Sequence, residues 1–137
     1  MEDITYNRPA PRVDVSNAAY WKAAFDSQLM LAECGVCSKL HHPPQAVCPF
    51  CWSSRIKPKF ASGHGTVNSY SIVYQSGDPA FKHLVPYVLA YVDLEEGLSM
   101  VTNVVNCDIN KVSIGMKIKS VFEQTSDKTG AVLFEPA

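Results

Sequence analysis

Cys34-Gly35-Val36-Cys37 and Cys48-Pro49-Phe50-Cys51 are two Cys-x-x-Cys pairs with ten residues between them. Four thiolates at this spacing can surround one tetrahedral ion, and Zn²⁺ favours that shell in structural sites. Iron is the main competitor, because an all-thiolate tetrahedron also holds iron. With Cys34, Cys37, Cys48 and Cys51 all bound, no coordination position is left for water, which disfavours metal-assisted hydrolysis. A thioredoxin-type redox motif would need a single Cys-x-x-Cys opening a helix beside a βαβ unit.

Around the cysteines the chain reads as short strands. Residues 29–32 lead into the first pair, and residues 39–44 and 55–60 flank the second. Such a ribbon buries too little apolar surface to stand alone, so the ion supplies much of its folding energy. Upstream, residues 1–15 read as a polar arm with Pro9 and Pro11, not as a signal peptide. Ser16 or Asn17 then caps a helix over residues 18–26. Trp21 and Phe25 are four apart, as are Tyr20 and Ala24, so aromatic rings share neighbouring faces. The stripe either packs on the protein's own core or docks on a partner. Tyr20, Trp21 and Phe25 are the candidate docking residues.

Downstream of Ser62-Gly63-His64-Gly65 the pattern becomes β-rich. Strands are expected over residues 66–74, 87–94, 98–105, 117–124 and 131–134, with a loop over 75–83. Five short strands with turn punctuation and little helix suggest a small Greek-key barrel of the OB type. The expected class is mainly β: an arm and docking helix (1–28), a rubredoxin-like zinc ribbon (29–62) and a five-stranded OB-fold barrel (63–137).

The 137 residues carry a net charge of -1, and that balance argues against phosphate-driven nucleic-acid binding. No apolar run reaches the length of a membrane span. Reduced cysteines without an export signal point to the cytoplasm. Cys107 reads as a small buried hydrophobe with no base beside it. His41 and His42 sit near the cysteines, but four thiolates already suffice. His64 lies in a glycine turn, and His83 lies in the loop before the second barrel strand. Phe81, His83 and Tyr87 are the candidate ligand-contacting residues of that loop. Asp93, Glu95 and Glu96 read as a solvated hairpin tip, and no phosphate loop or Ser/His/Asp signature is present. No catalytic residue is therefore assigned.

The order of these features resembles a known family. It comprises an aromatic helix, the paired cysteines with Pro43-Pro44 between them, and the Ser62–Gly65 junction. Then come Pro86-Tyr87-Val88-Leu89-Ala90-Tyr91-Val92-Asp93-Leu94 and Ile114-Gly115-Met116. Together they resemble the rubredoxin-type zinc-ribbon plus OB-fold family of acyl-CoA-associated accessory proteins. The resemblance covers the chain from about residue 17 onward. It implies a non-catalytic subunit, active only with a partner enzyme, that binds and activates a thiolase-fold aldolase or thiolase, or an acyl-CoA hydratase. It further implies a hetero-oligomer, help in holding the CoA thioester, and in some relatives a role in steroid side-chain degradation. Cys34, Cys37, Cys48 and Cys51 match the family's metal ligands. Gln45 departs from the pattern where an arginine is expected, which removes a contact to phosphate or carboxylate. The alternative class is a single-stranded nucleic-acid binder stacking bases on Tyr70, Tyr74, Phe81 and Tyr87. It would rely on Lys111, Lys117 and Lys119 as its basic cluster, against an acidic overall balance.

Overall fold

Val88, Ala90, Val92 and Leu94 are buried while Leu89 and Tyr91 between them are exposed. This period of two makes β5 (Tyr87–Leu94) a half-buried strand, with one face committed to a core. The computed structural model describes residues 6–137; residues 1–5 of the expected arm lie outside the described residues. Its elements are α1 (Ala18–Phe25), β1 (Met30–Cys34), β2 (Leu40–His41), β3 (Ile56–Phe60), β4 (His64–Val73), β5, β6 (Ser99–Val104), β7 (Lys117–Gln124) and β8 (Gly130–Pro136).

The last five strands close a barrel in the order β4-β5-β6-β8-β7, with β7 returning to β4 through His64↔Lys119. Neighbours are antiparallel except β6 and β8, which meet in parallel at Val104↔Phe134. This is the expected five-stranded OB-type barrel, and closure removes the sheet edges that would otherwise invite pairing. Upstream, β1 is the centre of a three-stranded antiparallel sheet, β2-β1-β3.

One hydrophobic cluster unites these parts. Tyr20 and Ala24 of α1, Leu29 before β1 and Leu31 on it pack with Val67, Val92, Ile118 and Phe134 of the barrel. A fully buried side chain of this size contributes roughly 1.5–3 kcal/mol. The helix seats so closely on the start of β8 that a Cβ at Gly130 would come within 2.8 Å of the Ala24 backbone. Gly63, at φ 88°, fills the other tight place, since a Cβ there would overlap the Ser120 hydroxyl.

Several expectations change in detail. Asn17 precedes the helix but makes no side-chain cap bond. Asp14 organises the turn instead: its Oδ1 accepts from the Ser16 and Asn17 amides at 2.9 and 3.0 Å. The second ribbon strand spans two residues, because Pro43 and Pro44 bring no amide to a ladder. The loop over 75–83 contains a 3-10 helix, Pro79–Leu84, whose start is capped by Asp78 accepting from the Ala80 amide at 2.9 Å. The arm is not free near the barrel. Arg8 is buried, donating through Nε to Glu123 at 3.2 Å and through Nη1 to Asn103 at 2.9 Å.

α1 is tied to the ribbon by a hydrogen bond between the Tyr20 hydroxyl and His42 Nε2 at 2.9 Å, with the rings edge-on at 5.3 Å. Burial pushes the Tyr20 hydroxyl up to about 12. Burial, with the neighbouring His41, pulls His42 down to about 4. Both shifts favour the neutral O–H···N pair. The folded state therefore rejects a proton that the unfolded His42 accepts near pH 6.5. Its contribution is complete above that pH and is lost as pH falls toward 4.

Two outcomes follow for denaturation by urea. Gly130→Ala costs about 1–3 kcal/mol, because the helix backbone must retreat. The stability lost by the wild type between pH 7 and pH 5 exceeds that lost by His42→Asn by about 2 kcal/mol.

Candidate metal centre

Each Cys-x-x-Cys folds into the same turn. In the first, Cys34 donates its amide to Lys39 O at 3.0 Å and Ser38 donates to Cys34 O at 3.0 Å. In the second, Cys48 donates to Ser53 O at 2.8 Å and Trp52 donates to Cys48 O at 2.9 Å. The residue after each second cysteine takes the left-handed conformation, Ser38 at φ 62° and Trp52 at φ 67°. Amides turn toward sulfur: Val36 and Cys37 donate to Cys34 Sγ at 3.4 Å, and Phe50 donates to Cys48 Sγ at 3.4 Å. These amides of Cys37 and Val36 pull the Cys34 thiol down to about 6, toward the ligand form.

The four sulfurs converge within 4.8 Å of one another. Cys34 to Cys51 is 3.5 Å and Cys37 to Cys48 is 3.7 Å. A tetrahedron with metal–sulfur bonds of about 2.3 Å has edges of roughly 3.8 Å. The donor set thus fits a single tetrahedral ion, whose contribution when bound is to cross-link the two turns.

The histidines beside the ribbon are spent elsewhere. His41 is buried and accepts the Gln45 amide on Nε2 at 3.3 Å, while His42 pairs with Tyr20. The position of Gln45 is thus held through its backbone, and its side chain is exposed.

Of the candidate docking residues of α1, Tyr20 is 7% exposed, lies in the shared core and uses its hydroxyl on His42. Trp21 is half-buried and packs edge-on against Tyr20 at 4.9 Å, and Phe25 is half-buried. Of the two alternatives for this stripe, packing on the protein's own core holds for Tyr20, because an eight-residue helix needs apolar surface for its own seat on the barrel.

The loop residues do not converge on one site. Phe81 lines a groove with Pro9, Pro11, Trp21, Leu89 and Val101. Tyr87 lines an adjoining cavity of about 460 Å³ with Arg8, Cys107 and Phe122, and Arg8 and Leu133 border both. His83 Nε2 donates to the Asn7 carbonyl at 2.6 Å. Cys107 is half-buried against the core, its thiol directed to Asp108 O at 3.4 Å, as a small hydrophobe would be.

The hairpin carboxylates are more than solvated. Glu95 accepts from the Ser62 hydroxyl at 2.6 Å and Glu96 from the Ser62 amide at 2.8 Å, fastening the ribbon–barrel junction. Asp93 accepts from Asn68 at 3.0 Å and Ser99 at 2.7 Å, and these bonds lower its carboxyl pKa. Of the basic trio, Lys119 pairs with Glu135 at 3.9 Å and Lys117 reaches the neutral Thr66 hydroxyl at 3.3 Å. Among the described residues, no helix is long and apolar enough to cross a membrane.

One equivalent of metal per chain is the expected stoichiometry by elemental analysis. Cobalt loading is expected to produce the absorption of a tetrahedral thiolate site. Cys34→Ser is expected to lose the metal and lower the melting temperature, and a strong chelator to do the same to the wild type.

Comparison with known proteins agrees with this architecture. Residues 21–56 match the ChsH2 rubredoxin-like zinc ribbon domain, and residues 59–123 match the ChsH2 C-terminal OB-fold domain. The chain is 35% identical over 130 residues to a probable enoyl-CoA hydratase alpha subunit of Thermomonospora curvata, covering 95% of this chain and 40% of that one. It thus spans well under half of that relative's length. It is 32% identical over 98 residues to a DUF35 domain-containing scaffold protein of Methanothermobacter thermautotrophicus, covering 71% of this chain and 73% of that one. A solved structure described as an Ltp2-ChsH2(DUF35) aldolase superposes with a TM-score of 0.81 at 34% identity, covering 93% of this chain and 98% of that chain. With its four-sulfur ribbon and closed five-stranded barrel, the chain belongs to the ChsH2/DUF35 family of zinc-ribbon plus OB-fold scaffold proteins.

Proposed function

We propose that this chain is a non-catalytic accessory subunit of an acyl-CoA-processing complex. It binds and activates a thiolase-fold aldolase or thiolase, holds zinc as a structural ion, and helps to position the CoA thioester. The observation that carries the reading is the likeness to the solved aldolase chain, which this protein covers over 98% of that chain's length. A module that matches a whole chain of a two-component aldolase is most simply explained as a component of the same kind.

The geometry supports a scaffold role. A four-sulfur shell lends rigidity and leaves no position for a substrate oxygen. Cys107 faces a backbone carbonyl, and the hairpin carboxylates are engaged in holding Ser62 and the strand ends. The nucleic-acid reading is less favoured. Tyr70 and Tyr74 are exposed, whereas Phe81 and Tyr87 line two adjoining depressions, and the net charge of -1 offers little to a phosphate backbone.

A tagged chain isolated from its native host is expected to bring down a thiolase-fold enzyme. The purified chain alone is expected to show no acyl-CoA turnover, and adding it to that enzyme to raise the specific activity. Turnover by the isolated chain, or a thiolase-fold enzyme indifferent to it, contradicts the reading.

A further inference from the structure

The two cysteine turns expose what a small metal site does not need. Val36 sits inside the first turn and is 61% exposed; Phe50 sits inside the second and is 55% exposed. Trp52 follows directly and is 81% exposed. Because the four sulfurs lie within 4.8 Å, the two turns that carry these side chains sit together. Trp52 also holds a backbone conformation at φ 67° that bulky residues rarely adopt and that glycine would fill without strain. The Trp52 amide is fixed on Cys48 O at 2.9 Å, so the base of the side chain is rigid. The fold gains little from an indole at that position, whereas rigid, solvent-facing tryptophans are typical anchors of protein interfaces.

The charges around the tip indicate what it meets. Residues 34–60 contain Lys39, Arg55, Lys57 and Lys59 and no Asp or Glu, in a chain with 13 acidic residues. Lys39 Nζ lies 4.9 Å from the Phe50 ring centroid, bridging from one turn to the other. Arg55 is exposed, and its carbonyl accepts the Gly35 amide at 2.7 Å, which puts it beside the first turn. Lys57 and Lys59 sit farther back, opposite Glu33 at 3.5 and 3.8 Å. Among the described residues, neither Lys39 nor Arg55 has a salt-bridge partner. Four thiolates outweigh a divalent ion, and of the ligands Cys34 and Cys48 are buried, Cys37 is half-buried and Cys51 is exposed; the charged side chains that reach out beside this shell, Lys39 and Arg55, are cationic.

We infer that this metal-held tip is a docking surface, with Trp52 as its anchor. Its occupant is a protein surface with an apolar pocket rimmed by carboxylates. Under the accessory-subunit reading, on which this inference rests, that surface belongs to the thiolase-fold enzyme. A protein fits better than a nucleic acid, because Val36 offers nothing to stack and only Lys39 and Arg55 stand free of carboxylates at the tip. The assignment moves docking away from α1, whose Tyr20 is buried, to residues that look like mere spacers between ligands.

The test uses the full metal-loaded chain, with the thiolase-fold enzyme that co-purifies with the wild type as the probe. Trp52→Asn is chosen because asparagine tolerates the left-handed backbone. It is expected to weaken binding at least about tenfold at unchanged metal content and melting temperature. Phe50→Ser is expected to weaken binding as well, and it decides the matter should Trp52→Asn lose metal. Arg55→Glu is expected to slow association and flatten its salt dependence. Tyr91→Ser and Val101→Ser, on the exposed face of β5 and β6, are expected to bind like the wild type. Wild-type binding by tip variants that keep their metal overturns the proposal, as does weakening by the barrel variants alone. Tight binding of a single-stranded oligonucleotide that Trp52→Asn abolishes also overturns it. Failure of the wild type to recover any thiolase-fold enzyme overturns the accessory reading itself.

Discussion

Between Cys34 and Phe60 the chain buries no apolar side chain besides those of two cysteines. β2 is two residues long, and four of the five residues of β3 are exposed. Conformational entropy of about 1–2 kcal/mol per ordered backbone residue has to be offset by something other than a core. The four convergent sulfurs are the only arrangement in this stretch able to do so, through bonds to a single ion. Everything that depends on a rigid ribbon depends on that cross-link. This includes the left-handed turns at Ser38 and Trp52, the projection of Phe50, and the seat of His42 against the helix.

The ribbon is not a separate bead. Cys34 ends β1, and Leu31 on the same strand is fully buried in the cluster shared with α1 and the barrel. An ion bound there would stiffen one end of a strand whose Leu31, with Met30 beside it, packs into the main core. Tyr20 and His42 add a polar link from helix to ribbon, and Glu95 and Glu96 hold Ser62 where ribbon passes into barrel. A body fixed at these points presents its surfaces at set distances from one another. That property suits a scaffold better than a hinged catalyst.

The parts most legible in the amino-acid sequence are those whose chemistry is local. The cysteine spacing gives the metal cluster directly. The alternation through Val88, Ala90 and Val92 gives β5 with its observed ends, and β7 likewise spans Lys117–Gln124 as expected. The boundaries that shifted have local causes too, such as Pro43 and Pro44 cutting β2 short. What stayed hidden was tertiary choice. Nothing in the spacing of Tyr20, Trp21 and Phe25 says which ring turns inward; the close approach of α1 to Gly130 decides it. Nothing near Arg8 announces Glu123 or Asn103, which are far away in the chain. Val36, Phe50 and Trp52 stand in the sequence as neighbours of the ligands, and only the fold shows their side chains exposed.

The central claim is that the sulfur-bound ion is inert scaffolding. X-ray absorption at the metal edge of the purified chain, with and without an acyl-CoA, tests it most directly. The account predicts four sulfur neighbours at about 2.3 Å, no oxygen or nitrogen neighbour, and a spectrum unchanged by the thioester. An oxygen in the coordination shell, or a sulfur replaced when the thioester is added, would contradict it.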